Sequence, residues 1–189
     1  MKIVCLGDSL TAGMDRETDS HWLNILKREA VHTYINKGIC GDTTSGMLAR
    51  FYRDVVEEGA KCVILMGGGN DFIVGADVGS VQSNMMALVH QAFFYQIIPV
   101  LGIEMAFDPS TVREDWAQFV DFREVERKAV AYRKWIWRFA KTFHVDVLDF
   151  HQAFLDQATQ AWGNYFSDGV HPNEMGNRIM ADVILKAGM

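Results

Sequence analysis

Short apolar runs alternate along this chain with longer segments of helical periodicity, and this alternation constrains the fold more than any other feature. The apolar runs are candidate strands at residues 2–6, 33–36, 62–66, 97–102 and 146–148, and the candidate helices lie at 21–29, 44–57, 81–95, 122–142 and 174–186. Runs without polar interruption are typical of strands buried on both faces of a parallel sheet. Repeated strand–helix units therefore predict a doubly wound, three-layer α/β fold.

Length and charge narrow the class of protein further. The 189 residues fit one domain spanning 1–189, and 49% are hydrophobic, which is enough for a sizeable core. With 22% charged residues and only 3 prolines, disorder is disfavoured. The net charge of −6, without a Lys/Arg-rich run, argues against nucleic acid or an anionic membrane as the main partner.

Location and redox state are inferred from what the sequence lacks. No charged segment followed by an apolar stretch precedes the first candidate strand, so we expect a cytoplasmic protein. No apolar run is long enough to span a bilayer. Cys5, Cys40 and Cys62 are interpreted as buried or semi-buried thiols in a reducing compartment. Cys40 falls in a loop, where a more reactive thiol is the alternative to packing.

Ser9 follows the first candidate strand, within the sequence Gly-Asp-Ser-Leu at 7–10. Ligands of open parallel sheets bind beyond the carboxyl ends of the strands, so this hydroxyl is placed where a substrate would bind. A serine becomes a nucleophile when a neighbouring base takes its proton, and its backbone N–H could bind an oxyanion. The alternative is a serine that caps the following helix.

A carboxylate and an imidazole lie three residues apart near the C-terminus, at Asp168 and His171. Inside a turn, Asp168 could fix the tautomer of His171 and leave the other ring nitrogen free as a base. The alternative is a turn that caps the last helix, with Pro172 or Asn173 at its start. The other five histidines have no neighbours at metal-ligand spacing, so we expect no metal site.

Two loops after strands offer donors for an oxyanion. Asn70 directly follows the glycine run 67–69, and its side-chain amide could bind a developing negative charge. The alternatives are a tight turn or a phosphate loop, although no Gly-Lys-Ser/Thr follows. Gly41 lies in the loop 36–44, where its N–H could point into a crowded site. That loop could equally end in a helix cap at Asp42 or Thr43.

The segment 104–120 reads as an irregular excursion that contains Pro109 and several aromatic residues. It could wall a substrate pocket, or it could be an ordinary surface loop.

The candidate helix at 122–142 has a periodic stripe of apolar side chains, which we interpret as its core face: Val125, Ala129, Tyr132, Ile136, Phe139 and Phe143.

Taken together, the four motif segments resemble those of the SGNH hydrolases, also called GDSL-type esterases and lipases. Residues 7–10 are similar to the first block of that family, Gly41 to the second, 68–71 to the third, and 168–172 to the fifth. The resemblance implies a flavodoxin-like three-layer α/β/α fold. It implies Ser9 as the nucleophile, His171 as the general base, and Asp168 as the residue that orients it. The Ser9 N–H, the Gly41 N–H and the Asn70 side chain would form the oxyanion hole.

The implied activity is hydrolysis of a small-molecule carboxylic ester through an acyl-enzyme, without metal or organic cofactor. No long apolar run is present to line a long acyl site, so short acyl groups such as acetyl are expected. A thioesterase, a lysophospholipase, a carbohydrate O-deacetylase and an acyltransferase remain alternatives. From a different class, a non-catalytic binding module of the same fold is another. The oligomeric state is not predicted.

Overall fold

A five-stranded parallel sheet organises the molecule in the computed structural model, which describes residues 1–13, 19–105, 107, 111–158 and 161–189. Its strands are β1 (Lys2–Gly7), β2 (Thr33–Gly38), β3 (Cys62–Met66), β4 (Ile98–Ile103) and β5 (Asp146–Asp149). They pair in the order β2-β1-β3-β4-β5, and every pairing is parallel. This is the flavodoxin-like order, and the predicted fold class is confirmed.

The helices that follow the strands are of two kinds, long ones that cover the sheet and short ones at its edge. The long ones are α2 (Trp22–Glu29), α3 (Thr44–Phe51), α5 (Val78–Phe94), α7 (Phe122–Phe143), α8 (Phe150–Gln157) and α9 (Glu174–Lys186). The short ones are α1 (Ser9–Ala12), α4 (Gly69–Ile73) and α6 (Glu114–Ala117). A π-helical turn, Tyr52–Val56, extends α3, and a 3-10 turn lies at Trp162–Tyr165.

Alternate residues of each strand feed two separate cores, one on each face of the sheet. Val4 and Leu65 point to the face covered by α3, α5 and α7. Ile3 and Ile64 point to the face covered by α2, α8 and α9. Because neighbouring side chains of a strand point in opposite directions, a strand covered on both faces must be apolar throughout.

The strands β1 and β2 end at the same level and are tied there by one arginine. The guanidinium of Arg50, from α3, donates to the carbonyls of Gly7 at 2.9 Å and Lys37 at 2.7 Å. It also pairs with Asp42 and Asp54, each at 2.8 Å. A rigid base is thereby built under the loops that follow β1 and β2.

Two side-chain predictions are corrected by the structure. Cys5 and Cys62 are buried as predicted, but Cys40 is exposed because it lies in the loop between β2 and α3 rather than against a core. Phe143 is 38% exposed, since it is the last residue of α7 and has passed the end of the packed face. In the described ranges, no helix has the length and apolarity needed to cross a bilayer.

Candidate active site

Ser9 is the first residue of α1 and follows β1 after a single intervening residue, Asp8. Asp8 is the N-cap, because its Oδ1 accepts from the backbone N–H of Leu10 at 2.9 Å. The cap is therefore supplied by the aspartate, and the serine hydroxyl is left available. The Ser9 N–H has no acceptor within its own helix, as holds for the first N–H groups of any helix.

His171 bonds to Ser9 on one side of its ring and to Asp168 on the other. His171 Nε2 lies 2.8 Å from Ser9 Oγ, across 162 positions of sequence. His171 Nδ1 lies 2.8 Å from Asp168 Oδ2. With the aspartate accepting from Nδ1–H, Nε2 is left as the acceptor for the serine proton. This arrangement is the one that activates a serine hydroxyl as a nucleophile.

The loop from Asp168 to His171 holds the aspartate in its ionised form. Burial raises the pKa of Asp168, but hydrogen bonds from the backbone and ring of His171 and from Val170 outweigh it, so the pKa lies below its usual range. The backbone N–H of His171 donates to Asp168 Oδ1 at 2.8 Å, and that of Val170 at 3.1 Å. The helix cap predicted nearby is also present, because Asn173 caps α9.

Asn70, in α4, and Gly41, in the loop after β2, lie at the same sheet edge as Ser9. Asn70 belongs to α4, and its Nδ2 donates to the Asp42 carbonyl at 3.0 Å and to Asp8 Oδ2 at 3.3 Å. Gly41 has φ +77°, a backbone conformation that favours glycine, and nothing lies within 4 Å of where a Cβ would be. The helix cap in that loop is Thr43, two residues after Gly41.

A cavity of about 340 Å³ opens beside Ser9, with Gly41, Asn70 and His171 in its wall. Most of the remaining wall is apolar and comes from α4, α6, α7 and from the end of β4 with the chain that follows it. The side chains from those segments include Phe72, Ile103, Met105, Phe107, Trp116, Phe119, Val125, Ala129, Tyr132 and Ile136. The site thus joins a polar end, where Ser9 lies, to an apolar chamber.

The excursion predicted at 104–120 contributes to this wall in its described part, whereas Pro109 lies outside the described residues. The ring of Trp116 packs edge-on against that of His171, with centroids 5.8 Å apart. Gly169 fits closely against the backbone of Thr111 and Val112, where a Cβ would lie 2.5 Å from Thr111 C. The excursion therefore holds the His171 loop from outside.

Two acidic side chains at this edge were missed by sequence reasoning. Asp71 accepts from the backbone N–H of Thr44 at 2.9 Å and from its hydroxyl at 2.6 Å, which joins α4 to α3. Glu104 accepts from the backbone N–H of Gly69 at 2.9 Å. Glu104 directly follows β4, and its position at the carboxyl end of a strand was the available signal. In the described part of the chain, no cluster of three or more His, Cys, Asp or Glu residues could hold a metal ion.

Comparison with known proteins identifies the family of this chain. The model of the GDSL-like lipase/acylhydrolase family matches residues 5–179. The chain belongs to this family. The matched region contains all five predicted site residues, and the predicted resemblance is confirmed.

Similar proteins agree with the assignment. The chain is 33% identical to Esterase TesA of Pseudomonas aeruginosa over 95 residues, which span 48% of this chain and 47% of that protein. It is 25% identical to Thioesterase 1/protease 1/lysophospholipase L1 of Escherichia coli, covering 97% of this chain and 81% of that protein. A solved G-D-S-L family protein of Desulfitobacterium hafniense superimposes with a TM-score of 0.82 at 25% identity, covering 98% of each chain.

Proposed function

We propose that this protein is a serine hydrolase that cleaves carboxylic esters, with Ser9 as nucleophile, His171 as base and then acid, and Asp168 as the orienting carboxylate. The observation that carries the proposal is the unbroken hydrogen-bonded series from Ser9 Oγ through the His171 ring to Asp168, with 2.8 Å at both steps. Membership of an acylhydrolase family supports the same reaction class.

The reaction begins when His171 Nε2 accepts the Ser9 proton as Oγ attacks the carbonyl carbon of the ester. The resulting oxyanion is stabilised by the N–H groups of Ser9 and Gly41 and by the Asn70 amide. Collapse of the tetrahedral intermediate breaks the bond to the leaving alcohol, which takes the proton from His171. Water then attacks the acyl-enzyme, His171 accepts its proton, and Ser9 regains a proton as the carboxylic acid leaves.

The apolar chamber favours an acyl group longer than acetyl. A volume of about 340 Å³ is at the lower end of small-molecule sites, which run from about 300 to 1,000 Å³, and it exceeds what two carbons fill. We therefore infer a preference for apolar acyl chains of intermediate length over the short acyl groups expected from sequence. A thioester would follow the same steps with a thiol as leaving group.

The test is Ser9→Ala assayed on p-nitrophenyl esters from acetyl to decanoyl, with fluorophosphonate labelling of both proteins. We expect wild-type labelling at Ser9 and a decrease in kcat of roughly 10⁴-fold or more in the variant, as for loss of a triad serine. Thr11→Ala is a control from the same helix whose side chain is buried away from the cavity.

Two results would count against the serine-hydrolase proposal, and a third would count against the inferred chain-length preference. A wild-type protein that neither labels nor turns over any ester or thioester of the panel would support the binding-module alternative. Turnover that survives in Ser9→Ala would remove Ser9 as the nucleophile. A rate that is highest for acetyl and falls with chain length would favour the short-acyl expectation instead.

A further inference from the structure

Two carboxyl groups face each other behind the proposed oxyanion hole. Glu104 Oε2 accepts from the backbone N–H of Gly69 at 2.9 Å, and Asp8 Oδ2 accepts from the side chain of the next residue, Asn70, at 3.3 Å. Both carboxyl groups thus lie at one side of the cavity, within hydrogen-bonding reach of each other. Asp8 is 2% exposed, and Glu104 borders the cavity. Ionised carboxylates only accept hydrogen bonds, so two of them in this position require a proton between them. This pair has no part in the triad described above.

The surroundings offer no cation to neutralise the pair. In the described part of the chain, neither Asp8 nor Glu104 forms an ion pair with lysine or arginine. Burial, reinforced by the charge of Asp8, raises the pKa of Glu104 well above its ordinary value, and burial also raises that of Asp8. The other titratable groups that face the pair or share its cavity wall are Cys40, Asp42, Asp71, Tyr132, Arg133 and His171.

These neighbouring groups do not neutralise the Asp8–Glu104 pair, because Asp42 and Arg133 have ion-pair partners elsewhere. Asp42 is paired with Arg50, and Arg133 with Glu126. Asp71 carries a negative charge that disfavours ionisation of Glu104 further. When His171 holds the serine proton during the reaction, its charge favours the ionised form of Asp8. The proton of the pair therefore resides on the glutamate side.

We propose that Glu104 is a positioning residue that holds a proton at neutral pH and donates it in a hydrogen bond to Asp8, so that the pair carries one negative charge instead of two. The proposed consequence for catalysis depends on the proposed esterase function. The proton itself does not depend on that function.

The consequence concerns Asn70, whose amide has two N–H groups and two acceptors already. The bond to the Asp42 carbonyl is 3.0 Å long, and the bond to Asp8 Oδ2 is longer, at 3.3 Å. An oxyanion must draw on the weaker of the two. When Asp8 also accepts a hydrogen bond from protonated Glu104, its carboxylate binds the Asn70 amide less strongly. Loss of that proton would place a second negative charge beside the developing oxyanion and would raise the barrier.

Infrared difference spectroscopy tests the proton directly. We expect wild-type protein in heavy water at neutral pH to show the C=O stretch of a protonated carboxyl group, and Glu104→Gln to lack it. Glu114→Gln changes an exposed glutamate of α6 in the same way and should keep the band. A wild-type spectrum without the band, or a band that survives in Glu104→Gln, would overturn the proposal, whatever the outcome of the ester assays.

The pH profile of kcat tests the catalytic consequence. Glutamine can still donate to Asp8 and accept from Gly69, so Glu104→Gln should stay within about threefold of wild type at neutral pH. Leucine can form neither hydrogen bond, so kcat of Glu104→Leu should be roughly tenfold or more below that of wild type. As pH rises and the shared proton is lost, kcat of the wild type should decline, and Glu104→Gln should lack this decline. The positioning role would be contradicted if kcat of wild type and of Glu104→Gln changed in the same way at alkaline pH, or if kcat of Glu104→Leu equalled that of wild type.

Discussion

Asn70 has a structural role at this site and, in the proposed mechanism, a catalytic one. Its amide links the loop after β2, through the Asp42 carbonyl, to the end of β1, through Asp8. Those bonds orient the amide before substrate arrives, and in the proposed mechanism the oxyanion replaces the longer of them, the bond to Asp8. Preorganised donors of this kind are among the largest contributions to acyl transfer.

Replacement of Asn70 should therefore reduce catalysis without preventing nucleophilic attack. We expect Asn70→Ala to lower kcat by about a hundred- to a thousand-fold, or about 3–4 kcal/mol of transition-state stabilisation, with little change in KM. Steady-state kinetics on the preferred p-nitrophenyl ester measure the loss, and fluorophosphonate labelling shows whether Ser9 still reacts.

Asn84→Ala is the matched control for that measurement. Its amide also bonds to the beginning of α3, through Thr44 and Ser45, but it lies outside the cavity wall. We expect a near wild-type kcat. If both variants lose activity equally, the effect of Asn70 is structural, and its role as an oxyanion donor is wrong.

The short helices α1 and α4 carry Ser9 and Asn70, and neither lies within the predicted helix ranges. Four or five residues are too few to display the 3.6-residue period that identifies a helix, and such short helices depend on tertiary packing. The segment after β3 was interpreted as a glycine turn, and it is a turn at Gly68, with φ +132°, followed by the helix. Five of the long helices, α2, α3, α5, α7 and α9, have repeating apolar faces, which is why their positions were predicted to within a few residues. Helix α8, only eight residues long, was missed.

Helix α7 contributes several side chains to the cavity wall, and we expect it to limit the length of the acyl chain. Val125, Ala129, Tyr132 and Ile136 of this helix all border the chamber. The stripe was interpreted as a core face, and its buried members do pack in the core. The same face therefore serves both the core and the cavity.

A larger side chain on α7 should shorten the acceptable acyl chain. We expect Ala129→Phe to lower kcat/KM for the decanoyl ester by roughly tenfold or more, since burial of a few methylenes is worth about 0.8 kcal/mol each. The acetyl ester should be affected much less. The ratio of the two rates across the p-nitrophenyl panel is the measurement.

The matched control is Ala49→Phe, which places the same side chain on an exposed position of α3 outside the cavity. Its chain-length profile should equal that of the wild type. An unchanged profile in Ala129→Phe would mean that the acyl group does not occupy the chamber beside α7.

Acid stability is a property of the whole molecule, and His21 makes a clear contribution to it. His21 is 5% exposed, and its Nε2 has no hydrogen-bond partner among the described residues. Burial, with a further contribution from the charge of Lys27, lowers its pKa from 6.5 to about 4. Between these two values the unfolded chain binds a proton that the folded chain does not, so acid favours unfolding.

The free energy of unfolding should therefore fall as pH decreases from about 6.5 to about 4, by up to about 3 kcal/mol from this group. Lowered pKa values at Asp168 and Asp54 remove further stability at still lower pH. Urea unfolding at a series of pH values measures the slope. His21→Gln should flatten it above pH 4, whereas His144→Asn, an exposed change at the end of α7, should leave it unaltered. Equal slopes in all three proteins would rule out His21 as the source.

The positions of the strands and of most long helices, and the contact of Asp168 with His171, were predictable because each is specified by contiguous residues. The flavodoxin-like order of the strands was implied by the family resemblance. A buried parallel strand must be apolar at every position, and an aspartate three residues before a histidine meets it within one turn. The extent of the domain, 1–189, and the cytoplasmic location stay predictions.

The cavity and the carboxyl pair were decided only by tertiary structure. No single apolar run in the sequence predicts the chamber. Its walls come from α4, α6, α7 and from the end of β4 with the chain that follows it, which meet at one edge of the sheet. Asp8 and Glu104 are far apart in sequence and become neighbours only because β1 and β4 end at that edge. Local patterns specify which elements form, whereas burial and charge in a pocket depend on which elements the chain brings side by side.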